Sequence, residues 1–87
     1  MRMPFAVLAL WLTASVVLAG PLEDAAGAFA RGDYATTVQL LRPLADQGDA
    51  SAQYNLGFMY DEGKGLPQDY VQAMTWYRKA EIGRAHV

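Results

Sequence analysis

Residues 50–80, ASAQYNLGFMYDEGKGLPQDYVQAMTWYRKA, constrain the fold more than any other part of the sequence. Two stretches with helical periodicity flank a short segment that contains two glycines and a proline. Glycine adopts the positive φ angles that end helices, and proline cannot extend the helical hydrogen-bond ladder. The stretch is therefore predicted to form a helical hairpin. Gly63, Gly65 and Pro67 would end its first helix, and Asp69 would cap the second.

The apolar residues predict which sides of these two helices face each other. Apolar residues that recur three or four positions apart share one helix face. These are Ala52, Leu56, Met59 and Tyr60 in the first helix and Tyr70, Ala73, Met74, Tyr77 and Ala80 in the second, with Trp76 at its flank. Gly57 and Ala73 have little side-chain volume, so we expect the two backbones to approach closely there.

The motif in this hairpin resembles the Sel1-like repeat, a relative of the tetratricopeptide repeat. The positions that carry it are Ala52, Leu56, Gly57, Tyr60, Gly63, Gly65, Ala73, Trp76, Tyr77 and Ala80. Leu66 departs slightly from the family, which usually has valine there. The resemblance implies an all-α fold, a solenoid of stacked antiparallel helix pairs. It also implies a module that binds proteins and is not an enzyme.

Residues 20–48 are predicted to form a first, more divergent hairpin. Its first helix would run from Pro21 to about Ala30 and be ended by Gly32. Asp33 would cap its second helix, which would end near Gln47-Gly48. The expected apolar faces consist of Leu22, Ala25, Ala26 and Phe29 in the first helix and Tyr34, Val38, Leu41, Leu44 and Ala45 in the second. Pro43 lies inside the second helix and predicts a bend or a break near Leu41-Arg42.

The two hairpins are related by a fixed offset in the sequence. Asp33-Tyr34 and Asp69-Tyr70 are 36 positions apart, and so are Leu40–Arg42 and Trp76–Arg78. A period of this length is typical of solenoids built from helix pairs. Residues 49–80 are thus the clear copy of the repeat, and Asp49 is expected to cap its first helix.

The first nineteen residues, MRMPFAVLALWLTASVVLA, have the pattern of a secretory signal peptide. Arg2 precedes an uncharged apolar run, and Val17 and Ala19 occupy the positions that signal peptidase requires to be small or neutral. The run is shorter than the ~20 residues of a membrane span, which favours removal after Ala19 over a retained membrane anchor. We therefore expect an exported protein, periplasmic or secreted by a bacterium, that has no stable membrane insertion after cleavage.

The last seven residues, EIGRAHV, do not continue the repeat. In the 36-residue register Glu81 falls at the position of Ala45, which is expected to face the core. The seven residues match the translation of a common short-read sequencing adapter up to its stop codon. Residues 81–87 are therefore expected to be a non-native tail, and the natural protein to continue into further repeats.

The charge and residue types argue against several classes of function. A net charge of −2 without a basic cluster is not typical of nucleic-acid binding, and the chain has no cysteine for a disulfide or a thiolate metal site. Asp61 and Glu62 are adjacent and point about 100° apart on a helix, so they do not converge as catalytic acids would. Ser51 lacks a base once His86 is assigned to the tail. We predict no catalytic residue, cofactor or metal.

Two functions remain open from the sequence if the signal peptide is removed; a membrane-tethered stalk is a third possibility if it remains uncleaved. The first is an exported adaptor or scaffold that binds an unidentified protein or peptide, with Tyr54 and Phe58 as the best candidates for partner contacts. The alternative is the N-terminal part of a longer exported enzyme, or enzyme subunit, whose catalytic part lies beyond this sequence.

Overall fold

The computed structural model describes residues 20–85 and shows four α-helices in this range. They are α1 (Pro21–Ala30), α2 (Tyr34–Asp46), α3 (Ala50–Glu62) and α4 (Tyr70–Ala85). The prediction of an all-α chain of two helical hairpins is confirmed. The predicted signal peptide, residues 1–19, and residues 86 and 87 lie outside the described residues.

Aspartate side chains begin three of the helices, because a carboxylate satisfies an amide of the first turn that has no helical partner. Asp33 accepts a hydrogen bond from the Thr36 amide at 3.3 Å, and Asp49 accepts one from the Ala52 amide at 2.8 Å. Asp69 accepts one from the Gln72 amide at 3.1 Å. These carboxylates fix where α2, α3 and α4 start.

The connections after the helices depend on glycines with positive φ. Gly63 caps α3 in the left-handed conformation at φ 68°, and Gly65 follows in the same loop at φ 79°. A residue with a Cβ adopts such angles at a cost, so glycine is favoured at both positions. The α3–α4 loop, residues 63–69, thereby reverses the chain and leads into α4.

Pro43 does not break α2, which is continuous from Tyr34 to Asp46. The absence of its amide removes only one hydrogen bond from the helical ladder. Leu41 and Ala45 on either side are buried, so packing holds both parts of the helix in place. Of the two outcomes expected from the sequence, a break near Leu41-Arg42 is wrong.

The helices pack in sequential order, α1 on α2, α2 on α3 and α3 on α4. The largest fully buried side chains are Leu41 of α2 and Leu56 and Met59 of α3. Two polar side chains, Thr37 and Gln53, are also buried. The Thr37 hydroxyl donates to the Asp33 carbonyl at 2.9 Å, and the Gln53 amide nitrogen donates to the Ala45 carbonyl at 3.0 Å. The two inner helices α2 and α3 therefore supply most of the core, with α1 and α4 on the outside.

The two helices of the second hairpin pack closely at Gly57 of α3, which has no side chain. A Cβ placed on Gly57 would lie 2.8 Å from Cδ1 of Tyr77 and 3.1 Å from the Ala73 carbonyl oxygen. Ala73 is itself buried. The small residues thus allow close contact between the two backbones, as the sequence suggested.

The buried face of α4 differs from the face predicted by periodicity. Ala73, Trp76 and Ala80 are buried, whereas Tyr70 and Met74 are 63% and 58% exposed. The prediction that Tyr70 and Met74 pack in the core, with Trp76 at the flank, is wrong. The reason is that α2 packs against helices on both sides, whereas α4 packs against α3. Glu81 is likewise exposed, although its counterpart Ala45 is buried.

Candidate protein-binding groove

An open groove of about 490 Å³ runs across the first three helices. Its lining consists of Leu22, Ala25, Ala26 and Phe29 from α1, Thr37 and Leu41 from α2, and Tyr54, Asn55, Phe58 and Met59 from α3. The lining is mainly apolar because α1 and α3 both pack on α2 without covering these side chains completely. We call this surface the α1–α3 groove.

Aromatic rings connect the two sides of the groove. The ring of Phe29 on α1 lies 5.2 Å from that of Tyr34 and 6.1 Å from that of Phe58 on α3, in tilted arrangements. Tilted aromatic pairs at such distances are mutually stabilising. Phe29 nevertheless remains 37% exposed, so its ring is available to a ligand as well as to its neighbours.

Tyr54 extends the aromatic surface toward α4. It is 48% exposed, and its ring lies 5.2 Å from the ring of Tyr77. The Tyr77 hydroxyl donates a hydrogen bond to Asp61 at 3.3 Å. Partial burial, and then the nearby negative charge of Asp61, raise the pKa of Tyr77 to about 12. Tyr77 is thus a neutral phenol whose ring packs against the ring of Tyr54.

Both residues predicted to contact a partner, Tyr54 and Phe58, line the groove. The sequence did not identify Phe29, Ala26 or Leu22 as part of it, because all three were assigned to the packed face of α1. Ala26 is in fact exposed, and Phe29 is only partly covered. A sequence signal did exist, since these three residues lie on one stripe of α1, but periodicity does not show whether another helix covers that stripe.

The residues of the predicted repeat motif contribute to the packing and the loop of the second hairpin. Ala52, Leu56, Gly57, Ala73, Trp76 and Ala80 are buried, Tyr60 and Tyr77 are partly buried, and Gly63 and Gly65 shape the loop between α3 and α4. These positions build the second hairpin and, apart from Tyr77 behind Tyr54, do not form the groove.

The chemistry of the groove is that of apolar contact. Asn55 provides an amide among apolar and aromatic side chains, an arrangement that suits a ligand with apolar side chains and a polar backbone. Within residues 20–85 no cluster of three or more histidine, cysteine, aspartate or glutamate residues is placed to hold a metal ion. No helix in that range has the length and apolar composition to cross a bilayer.

Comparison with known proteins gives a family assignment for the second hairpin. Residues 50–81 match the family model described as the Sel1 repeat. No solved structure matches the chain with significance.

Curated relatives match over 43 residues, which is 49% of this chain, and two of them are compared here. One is the secretory immunoglobulin A-binding protein EsiB of Escherichia coli O6:H1, 44% identical over 9% of its length. The other is the DAP3-binding cell death enhancer 1 of Rattus norvegicus, 37% identical over 8% of its length. The matched stretch is thus a small part of each relative. Residues 50–81 thus match the Sel1 repeat in sequence and contain a helical hairpin, α3 and α4, as described above.

Proposed function

We propose that this protein is an exported helical-repeat module that binds a protein or peptide through the α1–α3 groove. The main support is the open apolar groove, in which Phe29 and Tyr54 keep 37% and 48% of their surface exposed. Aromatic side chains contribute much of the binding energy at protein interfaces because they bury large areas and lose little conformational freedom. An adaptor or scaffold role follows from such a surface on a repeat protein.

The relatives support a protein as the class of ligand. EsiB is by its name a secretory immunoglobulin A-binding protein, and the rat relative is by its name a binder of DAP3. Both names describe binding to another protein. Secretory immunoglobulin A is therefore the first defined ligand to test, followed by a displayed library of random peptides.

The binding experiment compares groove variants with a matched aromatic control. Phe29→Ala and Tyr54→Ala should each weaken the binding of immunoglobulin or of a selected peptide at least tenfold, a loss of about 1.4 kcal/mol. Tyr70→Ala removes a ring that is 63% exposed outside the groove and should leave affinity unchanged. Circular dichroism should show equal helix content in all variants. Equal loss with Tyr70→Ala, or full affinity in both groove variants, would disprove the groove proposal.

Export is the second part of the proposal, and it rests on the sequence of residues 1–19. Expressed with a carboxyl-terminal tag in a bacterium with two membranes, the chain should reach the periplasm with an intact mass that begins at Gly20. Leu10→Arg, which places a charge in the apolar run, should retain the full-length form in the cytoplasm. A full-length form in the membrane fraction would instead indicate a tethered protein.

A further inference from the structure

The α1–α3 groove offers few hydrogen-bonding groups to a ligand. The polar side chains that line it are Thr37, Tyr54 and Asn55. Thr37 is buried, and its hydroxyl already donates to the Asp33 carbonyl at 2.9 Å. Apart from the ends of each helix, the backbone amides and carbonyls of the walls pair within the helices. Tyr54 and Asn55 are therefore the main groups that can pair with polar atoms of a ligand.

This shortage of partners favours one conformation of the ligand. An extended peptide has amides and carbonyls on both edges, so one edge would face apolar walls without partners. An α-helix pairs its backbone groups internally and presents side chains to a groove. Asn55 can then pair with a free backbone group at one end of such a helix. The groove therefore suits a helical ligand better than an extended one.

The length of the groove also matches a helix. On α1 the lining extends from Leu22 to Phe29, which is about 10 Å along the helix axis. A helical ligand of that length has about two turns and presents about three side chains on one face, at positions i, i+3 or i+4, and i+7. An extended segment of that length has only about three residues, and alternate side chains share a face. A helix thus places more apolar surface in the groove.

A glutamate borders the apolar lining on each wall. Glu23 precedes Ala26 of α1 by three positions, and Glu62 follows Phe58 of α3 by four positions. Residues at these spacings are neighbours on a helix surface. Both glutamates are exposed, and within residues 20–85 neither has an ion-pair partner. Their negative charge is therefore available to a cation of the ligand.

Most basic side chains are held on aromatic rings instead of on these carboxylates. Three of them lie over rings outside the lining: Lys64 over Tyr34 at 4.8 Å, Lys79 over Trp76 at 4.5 Å and Arg42 over Tyr60 at 5.9 Å from the ring centre. Arg84 reaches Tyr54 from α4, a helix that does not line the groove, and its guanidinium lies 5.8 Å from the ring centre. Contacts between cations and rings hold basic side chains without neutralising acidic ones.

We propose that the ligand of the α1–α3 groove is an amphipathic α-helix whose apolar face is bordered by lysine or arginine. The apolar face would pack on Phe29, Phe58 and Tyr54, and the basic side chains would pair with Glu23 and Glu62. The helix so defined presupposes the proposed function, because it occupies the same groove. Charge complementarity and the lack of partners for a ligand backbone favour this occupant over other proteins and peptides.

The test compares designed peptides for binding to the full chain by fluorescence anisotropy. The first peptide, of about 15 residues, has leucines at helical spacing and lysines beside them in an alanine background. The second has the same composition, but its leucines alternate as in a strand. The third is the first with glutamate in place of lysine. The first peptide should bind about tenfold more tightly than either of the others, or better.

A proline version of the first peptide tests the helical conformation directly. Proline in place of its central alanine removes a backbone donor and breaks a helix, whereas an extended ligand tolerates it. We expect the proline version to bind about tenfold more weakly than the first peptide.

A pair of double variants then tests the two glutamates. Glu23→Gln combined with Glu62→Gln should weaken the binding of the first peptide about fivefold, with little effect on a version that has glutamine in place of lysine. Asp46→Asn combined with Glu81→Gln changes the net charge equally at two exposed positions outside the groove. That control should leave the affinity nearly unchanged.

The possible results separate the helical ligand from the proposed function. Equal affinity for the first and second peptides, or for the first peptide and its proline version, would overturn the helical ligand. Equal loss in the two double variants would overturn the role of the glutamates. Binding of immunoglobulin or a library peptide that Phe29→Ala weakens, without binding of the first peptide, would reject the helix and keep the proposed function. If neither Phe29→Ala nor Tyr54→Ala weakened the binding of any ligand, the proposed function would fail as well.

Discussion

At the scale of single residues, Gly57 shows how little room separates α3 from α4. An added Cβ would lie 2.8 Å from the Tyr77 ring, which Tyr54 and Asp61 hold from other sides. Gly57→Ala should therefore destabilise the fold by about 1–2 kcal/mol, because crowding outweighs the gain in helix propensity. Chemical denaturation measures this directly.

Gly27 provides the matched control for that substitution. It also lies in a helix, but the nearest atom to an added Cβ is a guanidinium nitrogen of Arg31 at 3.4 Å, the end of a flexible side chain. Gly27→Ala should stabilise the protein by about 0.5–1 kcal/mol through helix propensity alone. If both substitutions stabilised equally, the close contact at Gly57 would be refuted.

Tyr77 should make the free energy of unfolding depend on pH at alkaline values. Its pKa is raised from 10.0 to about 12 in the folded protein, so the folded state holds the phenol proton more tightly than the unfolded state. The resulting stabilisation is complete below pH 10 and is lost as the pH rises through about 12. The stability difference between the natural chain and Tyr77→Phe should shrink over this interval in denaturation experiments. A constant difference would contradict the assignment.

At the scale of elements, the caps decide where the helices begin. Asp49 accepts its capping hydrogen bond at 2.8 Å, whereas Asp33 accepts its own at 3.3 Å. Asp49→Ala should cost about 1 kcal/mol in the free energy of unfolding, and Asp33→Ala should cost less. Urea denaturation of the two variants gives the comparison, and the reverse order would show that cap geometry does not determine the loss.

The starts and ends of helices were predictable because local chemistry determines them. An aspartate before a periodic stretch and a glycine after it act through the adjacent amides and through φ, without help from distant residues. The structure accordingly has Asp33, Asp49 and Asp69 at helix starts and Gly63 at the end of α3. The fold class followed from these signals and from the repeat motif.

Which apolar residues are covered was less predictable, because coverage depends on the number of neighbouring helices. Tyr70 and Met74 have the right spacing for burial and are exposed. Phe29 of α1 was also expected in the core, but it lines the groove because the neighbouring helices do not cover it completely. The sequence identified Tyr54 and Phe58 as candidate contacts but not the α1 side of the site.

At the scale of the whole molecule, packing in sequential order distributes stability unevenly. α3 packs on both α2 and α4, whereas α1 packs on α2 and α4 on α3. Amide hydrogen exchange should be slowest in α3 and α2 and fastest in α1 and in the last turns of α4. Exchange monitored by mass spectrometry tests this, and uniform protection across the four helices would show that the two hairpins unfold as one unit.

The α3–α4 loop lies on the preceding hairpin, and this has a genetic consequence. Gly65 and Lys64 cover part of α2. Loss of the second hairpin alone would therefore expose that part of α2, whereas gain or loss of a whole 36-residue period would not. Unequal recombination between copies would insert or delete whole periods and bring each new helix together with the loop that shields it.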